Sequence, residues 1–184
     1  MSRLEPLPPS RLGPEARRLY DAITQGPRAA GPQHFALTDE DGGLNGPFNA
    51  FLLSPGLGAA LQGVGAALRY EGTLSARSRE IAILTVAAAW DSAFELEAHE
   101  AVGRAVGLRE DEIDALRAGT VPDLTDRHEA ACARLARAMT RGDVSDALWQ
   151  EDAELVGAPT VFEISTIVGY YSTLALQMRV FRVG

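Results

Sequence analysis

Ten consecutive uncharged residues, Ile81 to Trp90, constrain the fold more than any other segment of the chain. A helix formed by this segment has no charge on any face, and a helix that is apolar all round is buried by its neighbours. The segment is about half as long as a membrane-crossing helix, so it predicts a helix inside a globular core. Ser75 is a suitable N-cap for this helix, which we expect over residues 76–89.

The rest of the sequence also favours helices. No segment shows the sustained alternation of apolar and polar residues, bounded by turn residues, that is typical of strands. The 184 residues are enough for one domain with a substantial hydrophobic core and are few for two such domains. We therefore expect a single all-α domain over residues 1–184. The other predicted helices are residues 14–24, 55–70, 90–108, 110–118, 126–141, 145–156 and 159–180.

Two segments are predicted to lie outside the helical core. Residues 1–12 are rich in proline and predict an extended N-terminal arm. Residues 26–47 are rich in Gly, Pro, Asp and Asn, which is typical of a long loop. Long loops in compact domains often form the lids or walls of sites. This loop contains His34, whose role the sequence alone does not indicate.

Composition limits the partners and the chemistry. The net charge of −8 argues against nucleic acid, because phosphate binding needs clustered positive charge. All 17 basic residues are arginine, which excludes lysine nucleophiles and suits small organic anions. The single Cys132 excludes an intrachain disulfide and paired-cysteine sites. Prolines stand where a signal peptide would be apolar, so we expect a cytoplasmic protein that does not act at a membrane.

The predicted helix 90–108 places a glutamate and a histidine together at the edge of its apolar face. Glu95 and His99 are four positions apart, a spacing that brings two helical side chains into contact. We therefore expect Glu95 to accept a hydrogen bond from the imidazole, with Ser92 just below the pair. Such pairs are also common at the rim of a core, so the spacing leaves chemical and structural roles open. The residues predicted on the opposite, solvent-facing side are Glu97, Glu100 and Arg104.

The preceding helix adds a second carboxylate. Glu80 lies at the head of the uncharged segment and shares a stripe with apolar residues. An unpaired charge there would be costly, so Glu80 needs a partner, for which Arg77, Arg79 and His99 are the candidates. The two arginines are equally candidates for binding a substrate carboxylate and for capping the helix at the surface.

Residues 46–108 resemble the carboxymuconolactone decarboxylase family, which shares its fold with alkylhydroperoxidase D. The resemblance is carried by the motif SREIAIL, by Glu95 and His99 in the pattern Glu-x-x-x-His, and by the closing Gly107 and Leu108. It continues through REDEIDALRAG and, more loosely, into the last helix. The resemblance implies an all-α, alkylhydroperoxidase D-like helical bundle. It also implies a homo-oligomer, a trimer or hexamer, with sites near subunit contacts.

The peroxidase branch of that fold has the motif Cys-x-x-Cys-x-x-x-His on the corresponding helix. Aligned on His99, the two cysteine positions fall on Ser92 and Glu95. Peroxide reduction through a disulfide needs both thiols, so thiol peroxidase activity is disfavoured. The decarboxylase branch does not need the cysteine pair, and the sequence resembles that branch.

The chemistry that the resemblance implies is acid/base catalysis on a small unsaturated organic acid or lactone. Decarboxylation leaves a carbanion that a conjugated lactone carbonyl can hold, so we expect no metal and no organic cofactor. We predict His99 as proton donor or acceptor, Glu95 as the group that orients it, and Glu80 as a second acid/base or structural partner. The residues predicted to bind the small anionic substrate are Arg79, Arg77, Ser92 and Tyr170.

The sequence leaves two other functions open. Glu80, Glu95 and His99 could together hold a divalent metal in an oxygenase-type enzyme, since two carboxylates and one histidine form such sites. The chain could instead be a non-catalytic oligomer that binds a small molecule. His128 and Cys132, also four positions apart, could form a nucleophilic pair, but a cysteine in the core is the favoured interpretation.

Overall fold

The computed structural model describes residues 2–26 and 35–183, and these form helices joined by loops. They contain no strand, only an isolated antiparallel bridge between Thr38 and Leu44. The all-α prediction is confirmed. In chain order the elements are a 3₁₀ turn (Pro9–Arg11), α1 (Pro14–Gln25), α2 (Pro47–Phe51), α3 (Pro55–Tyr70), α4 (Ala76–Trp90), α5 (Ala93–Ala105), α6 (Glu110–Arg117), α7 (Arg127–Met139), α8 (Asp146–Leu148), a π-helical turn (Trp149–Ala153), α9 (Glu154–Val156) and α10 (Ala158–Phe181).

The chain divides into two compact units, residues 1–71 with 174–184 and residues 72–173. In the second unit, α4 is the central helix and packs against α5, α6 and α7. Its side chains are buried on every face, as the uncharged segment predicts. Ser75 caps α4, since its hydroxyl oxygen accepts a hydrogen bond from the backbone N–H of Ser78. The prediction of one domain over residues 1–184 stays a prediction.

The C-terminus of α5 is capped at Gly107, as the sequence predicts. Gly107 has a positive φ of 92°, a conformation that glycine adopts without the penalty of a side chain. The N–H of Leu108 donates to the carbonyl of Gly103 and that of Gly107 to the carbonyl of Arg104. This pair of bonds is the Schellman motif. It fixes the direction in which the chain leaves α5 for α6.

In the first unit, α3 packs against α1 and α2. The short helix α2 was not predicted, because it follows directly on the loop segment. Within that segment the chain folds back at residues 38–44, where the Asp39 carboxylate accepts hydrogen bonds from the backbone of Asp41 and Gly43. The N-terminal arm includes a 3₁₀ turn and is therefore not extended throughout. His34 lies outside the described residues.

Two further expectations were wrong in detail. The predicted helix 145–156 is divided by the π-helical turn, within which Asp152 is fully buried and accepts hydrogen bonds from the Arg134 guanidinium. Glu100 is buried rather than facing solvent, because Arg117 of α6 covers it with two hydrogen bonds. In the part of the chain that the structure describes, no helix is both long and apolar enough to cross a membrane.

Candidate active site

The centre of the candidate site is a direct contact between two adjacent helices. Nδ1 of His99 on α5 lies 2.7 Å from Oε2 of Glu80 on α4, and both side chains are buried. Glu80 is therefore the partner of His99, and the prediction that Glu95 orients the imidazole was wrong. The spacing within α5 allows the Glu95 contact, but the ring turns across to the neighbouring helix instead.

The imidazole of His99 is held on a second side by an aromatic ring. His99 and Tyr171 of α10 meet edge to face, with ring centroids 5.1 Å apart at 86°. Tyr170, the tyrosine predicted to contact substrate, packs edge to face on Tyr171. The contact with Glu80 occupies Nδ1, so Nε2 is the ring nitrogen that can face a substrate.

Glu95 is a buried carboxyl group with no hydrogen bond in the described part of the chain. Its side chain is only 2% exposed, and neither carboxyl oxygen has a partner among the described residues at normal hydrogen-bonding geometry. Burial raises the pKa of Glu95 to about 8, against a smaller lowering effect of the Ser92 side chain. Glu95 is thus a neutral acid at pH 7, able to donate a proton.

Arg79 brings a positive charge to the Glu80 side of the pair. Its Nε lies 3.8 Å from Oε1 of Glu80, too far for a hydrogen bond. Both of these atoms are buried, and neither has a hydrogen-bond partner among the described residues. The pKa of Glu163 on α10 is lowered overall. Burial acts to raise it, but hydrogen bonds from Thr73 and Leu74 and the charge of Arg79 together outweigh the effect of burial. Arg79 therefore has donor capacity left for an anion.

Arg77 is held away from Glu80 and His99. It pairs with Glu129 of α7 at 2.8 Å and with Glu112 of α6 at 3.2 Å, and it also donates to the carbonyl of Gly107. These contacts tie the start of α4 to two neighbouring helices. Of the predicted site residues, the structure brings together His99, Glu80 and Arg79, and it does not bring Arg77 to them.

The other candidate arrangements find no support in the geometry. Among residues 2–26 and 35–183, no group of three His, Cys, Asp or Glu side chains is placed to hold a metal ion. Cys132 is buried, and burial raises the pKa of its thiol to about 11. His128 is exposed beside Asp126. The interpretation of Cys132 as a core cysteine is confirmed.

Comparison with known proteins confirms the resemblance predicted from residues 46–108. Residues 55–138 match the carboxymuconolactone decarboxylase family. The comparison with curated proteins gives no match.

Two solved structures share the fold. One is the alkylhydroperoxidase AhpD core of a peroxidase-related protein from Ralstonia eutropha JMP134, with 16% identity, a TM-score of 0.74, and coverage of 100% of this chain and 91% of that chain. The other is the debrominase Bmp8, a cysteine-to-alanine variant in complex with 2,3,4-tribromopyrrole. It has 13% identity, a TM-score of 0.73, and coverage of 98% of this chain and 90% of that chain. The alkylhydroperoxidase D-like fold is thereby confirmed.

Proposed function

Because residues 55–138 match the carboxymuconolactone decarboxylase family, we propose that the protein is a cofactor-free acid/base enzyme. It acts on a small unsaturated organic acid or lactone, by decarboxylation or by proton transfer at carbon. The observation that carries this proposal is the buried contact between Glu80 and His99. A histidine held by a carboxylate in the interior is a common arrangement for proton transfer.

The proposed reaction needs only charge stabilisation and one proton. A substrate carboxylate leaves as carbon dioxide, and the electron pair of the broken C–C bond passes into the conjugated lactone carbonyl as a dienolate. A proton then adds to carbon and restores the neutral ring. The protonated imidazole of His99 supplies this proton from Nε2, while the contact of Nδ1 with Glu80 holds the ring in place.

Two neighbouring groups fit the other requirements of this reaction. Arg79, with its unpartnered Nε, is suited to bind the substrate carboxylate through charge-assisted hydrogen bonds. Glu95 is a neutral acid near pH 7 and can donate a hydrogen bond to the oxygen that develops negative charge. Ser92 and Tyr170 stay predicted substrate-binding residues. We propose no substrate role for Arg77, since its two ion pairs engage it elsewhere.

The test is the substitution His99→Gln, assayed by release of carbon dioxide from unsaturated lactone acids. We expect turnover to fall by about 10²–10⁴, the usual contribution of general acid–base catalysis. Far-ultraviolet circular dichroism should be unchanged, because glutamine can still hydrogen-bond to Glu80.

The matched control is Glu97→Gln, an exposed residue on the same helix, which should leave turnover within about twofold of the unaltered protein. Full activity in His99→Gln on an identified substrate would contradict the proposal. Saturable binding of lactone acids without any turnover would instead favour the non-catalytic alternative.

A further inference from the structure

The unit formed by residues 72–173 contains a second site candidate, a cleft of about 300 Å³. Its walls are the second half of α4, the end of α6 with the loop after it, and the second half of α7 with the turn that follows. Two arginines and three threonines contribute its polar surface, and they are Arg137, Arg141, Thr85, Thr120 and Thr140.

The cleft is separate from the contact between Glu80 and His99. Thr85 and Ala89, the residues of α4 that line it, follow Glu80 by five and nine positions. At 3.6 residues per turn they lie about 140° and about 180° around the helix from Glu80. The cleft therefore opens on the face of α4 opposite to Glu80, and neither Glu80 nor His99 lines it.

The two arginines of the cleft differ from most others in this unit. Six other arginines form ion pairs with carboxylates, and they are Arg77, Arg79, Arg104, Arg109, Arg117 and Arg134. Arg137 and Arg141 form no ion pair or side-chain hydrogen bond with any described residue, and no carboxylate lines the cleft. Arg137 lies in the last turn of α7 and Arg141 in the turn directly after it. Because both line the same cleft, the two guanidinium groups can reach one anion together.

The remaining surface of the cleft indicates the chemical class of anion that would fit it. The hydroxyl groups of Thr85, Thr120 and Thr140 each donate to a helix carbonyl, so the guanidinium groups are the side-chain donors left for a ligand. The other side chains of the wall are apolar, and they are Ala89, Leu116, Val121 and Ala133. A carboxylate attached to a small apolar body complements both parts.

We propose that this cleft is a binding site for a small organic carboxylate. The carboxylate is bound by Arg137 and Arg141, and the apolar body lies against Leu116, Val121 and Ala133. Arginine suits this role because its planar fork of N–H donors matches a carboxylate. The site is distinct from the proposed acid/base site and does not depend on the activity proposed there.

The experiment is calorimetric titration of the full-length protein with benzoate, and with acetate and inorganic phosphate as comparison anions. We expect benzoate to bind saturably, and Arg137→Gln/Arg141→Gln to weaken its affinity by about tenfold or more, because two charge-assisted hydrogen bonds are lost. Acetate lacks the apolar body and phosphate is strongly hydrated, so both should bind about tenfold more weakly than benzoate.

Two control variants locate the site. Arg127→Gln removes an exposed arginine of the same helix that does not line the cleft, and it should change benzoate affinity by less than about twofold. His99→Gln should also bind benzoate normally. Loss of benzoate binding in His99→Gln with retention in the double arginine variant would place the anion at the acid/base site and overturn the proposal.

Three further results would also overturn it. They are the absence of saturable benzoate binding up to about 10 mM, equal affinities for benzoate and phosphate, and equal benzoate affinities in the double variant and the unaltered protein. The single variants Arg137→Gln and Arg141→Gln serve the same comparison if the double variant loses helical content. A loss of stability without a loss of binding would mean that the two arginines act only on the C-terminal dipole of α7.

Discussion

Glu95 is the residue whose burial has the clearest consequence for stability. Its pKa is raised from 4.5 to about 8 in the folded protein. Between these two pH values the unfolded chain has lost the proton while the folded protein keeps it, so raising the pH favours unfolding. This contribution to stability is fully present below about pH 4.5 and is lost as the pH rises to about 8.

The substitution Glu95→Gln removes this titration and keeps the shape of the side chain. We expect the variant to gain stability over the unaltered protein as the pH rises, by up to about 1.4 kcal/mol for each pH unit. The measurement is urea unfolding at a series of pH values from 4.5 to 8. Parallel stability curves for the two proteins would show that Glu95 titrates normally. Glu97→Gln, exposed on the same helix, should give a curve parallel to that of the unaltered protein.

At the scale of the helices, replacing glycine by alanine is expected to have opposite effects on the free energy of unfolding at two positions. Gly107→Ala places a side chain at a φ of 92°, in the Schellman turn that ends α5. We expect it to lower the free energy of unfolding by about 1–2 kcal/mol, since a non-glycine residue is strained in this region.

Gly63→Ala is the matched control. Gly63 is an exposed residue of α3, and an added methyl group would have no neighbouring atom within 4 Å. The substitution should raise the free energy of unfolding by about 0.5–1 kcal/mol, because alanine has the higher helix propensity. Both values come from urea denaturation. An equal effect of the two substitutions would contradict this account of the turn.

Some features of these helices are determined by residues close in the sequence, and others by residues of neighbouring helices. The burial of α4, its Ser75 cap and the turn at Gly107 depend on neighbours within a few positions, and all three could be predicted. The partner of His99 could only be narrowed: His99 was one of three candidates for Glu80, but Glu95 was expected at the imidazole. Glu80 is 19 positions away, and a helical wheel compares side chains of one helix only. Glu100 was assigned to solvent for the same reason, since Arg117 covers it from another helix.

At the scale of the whole molecule, large apolar side chains remain at the surface. In the unit formed by residues 1–71 with 174–184 they lie on α3 and α10 and in the turn before α3, with Leu57 the most exposed at 61%. The exposed members of this set are Leu53, Leu57, Val64, Tyr70, Leu176 and Val180. Six large exposed apolar side chains on two helices and one turn favour a protein interface. We therefore propose that the protein assembles as a homo-oligomer, for which the family resemblance implies a trimer or a hexamer.

This proposal predicts that Leu176→Glu shifts the protein towards smaller species, because burying a carboxylate in an apolar interface is costly. The measurement is sedimentation velocity at micromolar concentration. Arg18→Glu introduces the same charge at an exposed position of α1 and should leave the distribution unchanged. A compact monomer for the unaltered protein at these concentrations would count against any oligomer.

The enclosed thiol of Cys132 has a practical consequence. A thiol that is both shielded from reagents and protonated at neutral pH is alkylated only in molecules whose interior has opened around α7. The ratio of the alkylation rates in the folded and the unfolded protein then gives the free energy of that opening. Because the chain contains one cysteine, the mass of the intact protein reports each event. Cys132 is therefore an intrinsic probe of local unfolding, and no label has to be introduced.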